Sequence, residues 1–449
     1  MSIADAAASA RAVTEAILGD LAKAERGVVV DSPPGAGKST LVVAAAASLA
    51  ERGERVIVVG QTNEQVDDLI DRLASEHGVL RIGRLSAQDY IPADRVYQHQ
   101  NITVSSSIAD LSEHPLVIAT AAKWATLADP GTRWPWAIVD EAYQMRSDAL
   151  LRIAHLFDKA LFVGDPGQLD PFSTVETERW LGLNWDPMSS AVAVLLVNNP
   201  GIPVHTLPVS WRLPATAAPV VSSAFYPFSG FTAATELKDR GMTWNTRPFG
   251  MTSVDLVLQT AADSGWALYE LPHRHALRTD GEAVDACAAL AARALLRGGV
   301  TTSERGQHSV TGERIAIGVA HRDQAAAVRR ALRAQALAYP VLASALRGVV
   351  ADTANRLQGR EFDLTIMLHP LSGRRDATAF HLEAGRLCVL ASRHRHACVV
   401  VARAGIPELL DAHPSAEPVH LGVPVKFPDG WEAHHSFMAH LSHLRVPSE

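Results

Sequence analysis

The sequence is poor in cysteine, has no long apolar run and carries no basic surplus, and each absence closes off a class of protein. Its 449 residues include 3 cysteines, Cys287, Cys388 and Cys398, with no CxxC pair. That spacing suits neither a disulfide framework nor a cysteine-ligated zinc site, and a reducing cytoplasmic compartment is the expectation. The longest apolar run, residues 41–50, is interrupted by Ser48 and is too short to cross a bilayer, so no membrane partner is expected. Acids come early, at Asp5, Glu15 and Asp20, where a secretory leader would need a basic stretch and then an apolar core. The formal net charge is −7, which argues against a basic coat that grips phosphates over its whole surface. It leaves room for one local contact groove.

What is present is an ordinary globular composition, 47% hydrophobic and 20% charged. The length allows roughly two to three domains. Short apolar segments alternate with helical ones, which is the pattern of parallel α/β sheets. Strands are expected at 27–31, 55–60, 116–119, 136–140 and 160–164. A turn-rich linker at 198–205 (NNPGIPVH) precedes a second series at 205–209, 314–319, 348–353, 363–368 and 397–402. The expected fold is therefore α/β with two parallel-sheet lobes, over 1–200 and 205–425. Residues 227–265 lack clear periodicity and are expected to form an irregular insertion. Residues 426–449 are expected to form a His-rich tail, in which His434, His435, His440 and His443 match no standard metal spacing.

The most specific local signal is SPPGAGKST at residues 32–40, between the apolar strand GVVVD and an apolar helix. Strand, loop and helix in that order are the context a phosphate-binding loop requires. Gly35 and Gly37 let the backbone curl so that several N–H groups face phosphate oxygens, and the helix adds its positive N-terminal end. The candidate nucleotide contacts are Pro34, Gly35, Ala36, Gly37, Lys38, Ser39 and Thr40. Lys38 would reach the β- and γ-phosphates, and the Ser39 hydroxyl would bind Mg²⁺. Ser32 stands where such loops usually begin with glycine.

A second strand, WAIVD at 136–140, ends in Asp140 and Glu141. Acids at the carboxyl end of a parallel strand lie on the sheet edge where ligands bind. Asp140 would hold Mg²⁺ and Glu141 would polarise the attacking water of a nucleoside triphosphatase.

Asp140-Glu141-Ala142-Tyr143-Gln144 resembles the DEAxQ motif of superfamily 1 helicases, in the branch that includes the nonsense-mediated-decay helicase. Further resemblances follow in the family's order: VIVVGQTNEQVDDLIDRL at 56–73, LVIATAAKWA at 116–125, FVGDPGQLDPF at 162–172, LPVSWRLPATAAPVVSSAFY at 207–226, VVADTANRLQGREFDLTI at 349–366 and GRLCVLASRHRHACVVVA at 385–402. The resemblance implies two RecA-like lobes with ATP in the cleft between them. It implies that Gln144 and Gln168 sense the γ-phosphate or position the water. It implies that Arg212 and Arg393 act as arginine fingers, and that Glu361, after Gly359, contacts the nucleotide. Thr62, Asn63, Thr120 and Thr353 would touch the backbone of single-stranded DNA or RNA. The helix around 321–336 carries Arg322, Arg329, Arg330 and Arg333, which would form either a basic stripe for nucleic acid or a solvated face.

Two departures bear on function. The interval from Leu73 to Val117 leaves room for only a stub, about 78–112, where the family commonly inserts a clamp domain called 1B. Residues 9–13 (SARAV) also lack the glutamine of the adenine motif. The expectation is an ATP- and Mg²⁺-dependent helicase or translocase, with a protein partner supplying the missing clamp. The alternative is a nucleotide-switched regulatory subunit with this fold and no unwinding activity.

Overall fold

A computed structural model describes residues 2–127, 131, 133–167, 169, 180, 183, 187, 189–246, 251–414 and 428–448. The first lobe supplies strands β1 (Gly27–Asp31), β2 (Val56–Gly60), β3 (Ile82–Leu85), β4 (Ile102–Ser105), β5 (Leu116–Thr120), β6 (Trp134–Asp140), β7 (Phe157–Gly164) and β8 (Val204–Thr206). They form an 8-stranded sheet in the order β4-β3-β5-β2-β6-β7-β1-β8, and every pairing in it is parallel. Helices cover both faces, so the central strands are apolar on both sides. Along β1, Val28 and Val30 enter one core cluster while Val29 enters the other.

Beyond β8 come β9 (Val209–Ser210), β10 (Thr232–Ala233), β11 (Gly241–Trp244), β12 (Trp266–Leu271), β13 (Gly299–Ser303), β14 (Gly306–Ser309), β15 (Ile315–Val319), β16 (Val350–Thr353), β17 (Phe362–Leu368), β18 (His394–Arg403) and β19 (Arg445–Pro447). The second lobe is a 6-stranded parallel sheet, β16-β15-β17-β18-β12-β19. It too is covered on both faces: along β18, Cys398 and Val400 face one cluster, Val399 and Val401 the other. A separate antiparallel sheet, β11-β13-β14, carries a hairpin whose turn includes Glu304. The described residues thus form two parallel-sheet lobes.

Several expectations change. The strand expected at 205–209 to open the second series is split. Val204–Thr206 pairs with β1 in the first sheet, and Val209–Ser210 pairs with β10. Residues 78–112, expected as a stub, supply β3 and β4, which extend the first sheet at one edge. The expected irregular insertion at 227–265 contains β10, β11 and the helix Ser253–Ser264, which is capped by Thr252 and ended by the left-handed Gly265. Of the tail expected at 426–449, the described residues 428–448 pack into the second lobe. The helix Gly430–Leu441 buries Phe437 and Leu441 in a second-lobe cluster, and β19 pairs with β12. His434 lies fully buried on that helix, and among the described residues no group of three or more His, Cys, Asp or Glu could hold a metal.

Candidate nucleotide site

The site is assembled at the carboxyl edge of the first sheet. The loop after β1 runs into the helix Lys38–Glu51, and Gly37 caps that helix in the left-handed region at φ 91°. Gly35, at φ 73°, is required for two reasons. Its backbone curls, and a Cβ there would come within 2.3 Å of the Arg212 Cβ. The loop is held against 210–212 by main-chain acceptors: Trp211 N–H donates to the Gly35 carbonyl at 2.8 Å, and the Ser210 hydroxyl donates to the Pro34 carbonyl at 2.6 Å.

Lys38 faces both expected acids. Its ammonium pairs with Glu141 and lies 3.4 Å from Asp140 Oδ1. Burial alone would lower its pKa, but Asp140 and Glu141 outweigh burial and push it up to about 12. Glu141 is the one non-glycine among the described residues with positive φ, at 53°. Such a conformation at an acidic residue is a local strain of the kind that clusters at functional sites. It lets the Glu141 N–H donate to Asp140 Oδ1 at 2.9 Å, while Gln144 Nε2 donates to Glu141 Oε2 at 2.9 Å. The Tyr143 hydroxyl donates to Asp31 Oδ1 at 2.5 Å, tying the acid-bearing turn back to the end of β1.

Ser39 and Thr40 are exposed at the start of the loop helix. Ser39 and Asp140 supply a hydroxyl and a carboxylate oxygen, the hard donors that suit a Mg²⁺ completed by phosphates and water. The Thr40 hydroxyl accepts from Arg72 Nη2 at 2.8 Å, which anchors the loop helix to the helix Asn63–Glu76. A cavity of about 540 Å³ opens beside the loop, between Ala36, Gly37, Trp211 and the N-terminal helix residues Ala7, Arg11 and Thr14.

The second lobe contributes arginines. Arg212 Nε lies 3.5 Å from Glu361 Oε2; burial lowers the pKa of Arg212 and Glu361 opposes that. Arg393 is about 1% exposed; Nε donates to the Val389 carbonyl at 2.9 Å and Nη2 to the Ser392 hydroxyl at 2.7 Å. Its Nη1 is buried without a hydrogen-bond partner among the described residues. Burial, and then the neighbouring Arg212 charge, hold its pKa down to about 9. The basic run 393–396 is therefore not a surface patch, because Arg393, His394, Arg395 and His396 are all buried. Gly359, left-handed at φ 78°, precedes Glu361.

Asp165, which directly follows β7 in the GDPGQ segment, carries no separate sequence signal, yet it lies buried beside the site. It is 3% exposed, accepts from Gly167 N–H at 2.9 Å, and exerts its charge on Lys38, Arg212 and Arg393 alike. Gln168 lies outside the described residues. Two further side chains join the site through long-range contacts. Arg395 bridges Glu361 and Glu304, and Arg240 grips the carbonyls of Trp211 and Arg212. Their only sequence signal was the basic run at 393–396, since the partners are far apart along the chain.

The residues expected to touch nucleic acid sit at the carboxyl ends of strands. Thr62 follows β2, Thr120 ends β5 and Thr353 ends β16. Thr62 and Thr120 use their hydroxyls as N-caps, accepting from the N–H of Gln65 and Lys123. Asn63 Oδ1 accepts from Arg84 Nη2 at 2.9 Å. On the helix Arg322–Ala338, Arg322, Arg329, Arg330 and Arg333 are all exposed, and Arg329 also donates to the Ala351 carbonyl at 2.7 Å.

Comparison with known proteins adds three findings. A family model described as an AAA domain matches residues 11–181. The chain is similar to the DNA replication ATP-dependent helicase/nuclease DNA2 of Mus musculus, 28% identical over 159 residues, and to that of Gallus gallus, 32% identical over 161 residues. Each match takes in 34% of this chain and about 15–16% of the relative, so the chain matches a small part of those proteins. Among solved structures it is similar to the Arterivirus nonstructural protein 10 helicase in complex with DNA (TM-score 0.42, 13% identity, 84% of this chain and 60% of that one) and to the PRRSV helicase (TM-score 0.40, 13% identity, 91% and 58%).

Proposed function

We propose that this chain is an ATP-driven motor of superfamily 1, in the DEAxQ branch, that moves along single-stranded DNA or RNA. One observation carries the reading: Lys38 pairs with Glu141 and lies 3.4 Å from Asp140, while Arg212 packs against Gly35 of the same loop. Phosphoryl transfer needs little covalent help. It needs cations around the transferring group and an oriented water. Lys38 and the loop N–H groups would bind the β- and γ-phosphates, and Mg²⁺, held by Ser39 and Asp140, would neutralise charge between them. Glu141, oriented by Gln144, would take the proton of the attacking water, and Gln168 would assist in placing it. Arg393 and Arg212 would close on the γ-phosphate, with Glu361 at the ribose side and Trp211 beside the base cavity. ATP would then favour the closed pair of lobes, and phosphate loss would release it.

Thr62, Asn63, Thr120 and Thr353 mark where a strand would cross the lobes. Because Thr62 and Thr120 cap helices, main-chain groups would make many of the contacts there. With β3 and β4 built into the sheet in place of a clamp, grip on the strand would depend on a protein partner. No helix among the described residues is long and apolar enough to cross a membrane.

The test is phosphate release from Mg²⁺-ATP, with and without single-stranded DNA or RNA, alongside Glu141→Gln. Stimulation by one nucleic acid, lost in the variant, supports the motor and identifies its track. Hydrolysis indifferent to both supports the nucleotide-switched subunit instead.

A further inference from the structure

The small antiparallel sheet β11-β13-β14 reaches into the site through one side chain. Glu304, in the β13–β14 turn, accepts from Arg240 in bidentate fashion, with Nε to Oε2 at 3.0 Å and Nη2 to Oε1 at 2.8 Å. Oε1 also accepts from Arg395 Nη2 at 2.7 Å. Each arginine then acts on the Arg212 segment by a different route. Arg240 Nη1 donates to the Arg212 carbonyl at 2.5 Å and Nη2 to the Trp211 carbonyl at 2.8 Å. Arg395 Nη1 donates to Glu361 Oε1 at 3.1 Å, and Glu361 Oε2 faces Arg212 Nε at 3.5 Å.

We propose that Glu304 is a positioning residue that fixes the main chain and the guanidinium of Arg212 through Arg240 and Arg395. The role rests on the hydrolytic reading above. Arg240 and Arg395 have side chains only 3% and 6% exposed, so neither can turn to water if its carboxylate is lost. Fixing both ends of Arg212 matters because an arginine aimed at a developing charge is useful only when its position is set beforehand. Glu361, shared between Arg212 and Arg395, would be free to meet nucleotide only if Arg395 keeps its hold on Glu304. The hairpin thus places a non-catalytic segment of the second lobe in mechanical contact with the catalytic cleft.

The experiment compares Glu304→Gln, Arg212→Ala and the double variant in steady-state hydrolysis of Mg²⁺-ATP, with circular dichroism to confirm folding. Glu304→Gln keeps the shape and loses the charge that holds two arginines. It is expected to lower kcat on the order of tenfold with KM little changed. In the Arg212→Ala background the same change is expected to have no further effect, because Glu304 acts through Arg212. Arg395→Lys keeps the charge but loses the planar fork that reaches Glu304 and Glu361 from separate nitrogens, and as the second variant it is expected to match Glu304→Gln. Equal kcat for Glu304→Gln and the unaltered protein would overturn the role. So would losses that multiply in the double variant, or an Arg212→Ala protein as active as the unaltered one. An unaltered protein that hydrolyses no ATP would instead remove the proposed function, and this role with it.

Discussion

The Tyr226 hydroxyl donates to Asp165 Oδ1 at 2.6 Å, joining the second lobe to the carboxyl end of β7 in the first. Both groups are buried, and Tyr226 also lies 3.6 Å from the Cys388 thiol. Asp165 acts electrostatically on Lys38, Arg212 and Arg393, so the bond couples the seam between the lobes to the charges of the site. Tyr226→Phe keeps the ring among Phe231 and its neighbours and removes the donor. The expected cost is about 1–3 kcal/mol of unfolding free energy, measured by urea denaturation, with a fall in hydrolysis.

Glu141→Gln separates chemistry from binding. The amide keeps the size of the side chain but cannot take a proton, so kcat should fall roughly 10²–10⁴-fold. Nucleotide should still bind, since Lys38 and the loop are intact. Titration with a fluorescent ATP analogue checks affinity, and phosphate release checks rate. Equal loss of affinity and rate would argue that Glu141 acts chiefly by holding Lys38, with which it pairs.

Asp67 and Arg84 form a fully buried pair at 3.0 Å, and Asp67 also accepts from the Tyr90 hydroxyl at 2.8 Å and the Ala93 N–H at 2.9 Å. Arg84 in turn holds Asn63. Arg84→Met leaves a buried carboxylate without its cation and should cost about 3–5 kcal/mol in urea unfolding. Asp67→Leu combined with Arg84→Met should cost less than the sum of the single changes, because no lone charge remains. Additive losses would show that the two side chains contribute independently.

His434 predicts a pH dependence. Burial keeps it neutral and lowers its pKa from 6.5 to about 3, with the His369 ring packed edge-on at 5.0 Å. The unfolded chain takes up this proton near its ordinary pKa and the folded one does not. Stability contributed by neutral His434 is therefore present above about pH 6.5 and is lost progressively as pH falls toward 3. His434→Leu should flatten that limb, narrowing the stability difference between pH 7.5 and pH 5 by about 2 kcal/mol. Chemical denaturation at the two pH values measures it, and an unchanged difference would show that His434 is charged in the fold.

Local chemistry was legible without coordinates wherever neighbouring residues carry it. SPPGAGKST between an apolar strand and helix determined a glycine-bent loop leading into a helix, and WAIVD followed by Glu141 placed the acid pair beside Lys38. In both cases the residues concerned are adjacent in the chain, so spacing alone fixes geometry. Strands of the second sheet at 314–319, 348–353, 363–368 and 397–402 were legible because continuous apolar runs mark strands covered on both faces.

What tertiary structure alone decided was which distant segments meet. Val204–Thr206 joins β1, and Arg445–Pro447 joins β12, because an edge strand leaves backbone N–H and C=O groups that a short segment from elsewhere in the chain can pair with. A run of Arg and His at 393–396 reads locally as a wet surface, yet it is buried, with Arg395 neutralised by Glu304 and Glu361. Tyr226, Arg240 and Glu304 carry no local signal of their roles. Each is defined by a partner 61, 28 or 91 positions away, and such long-range pairs are fixed only when the two sheets and their covering helices have packed.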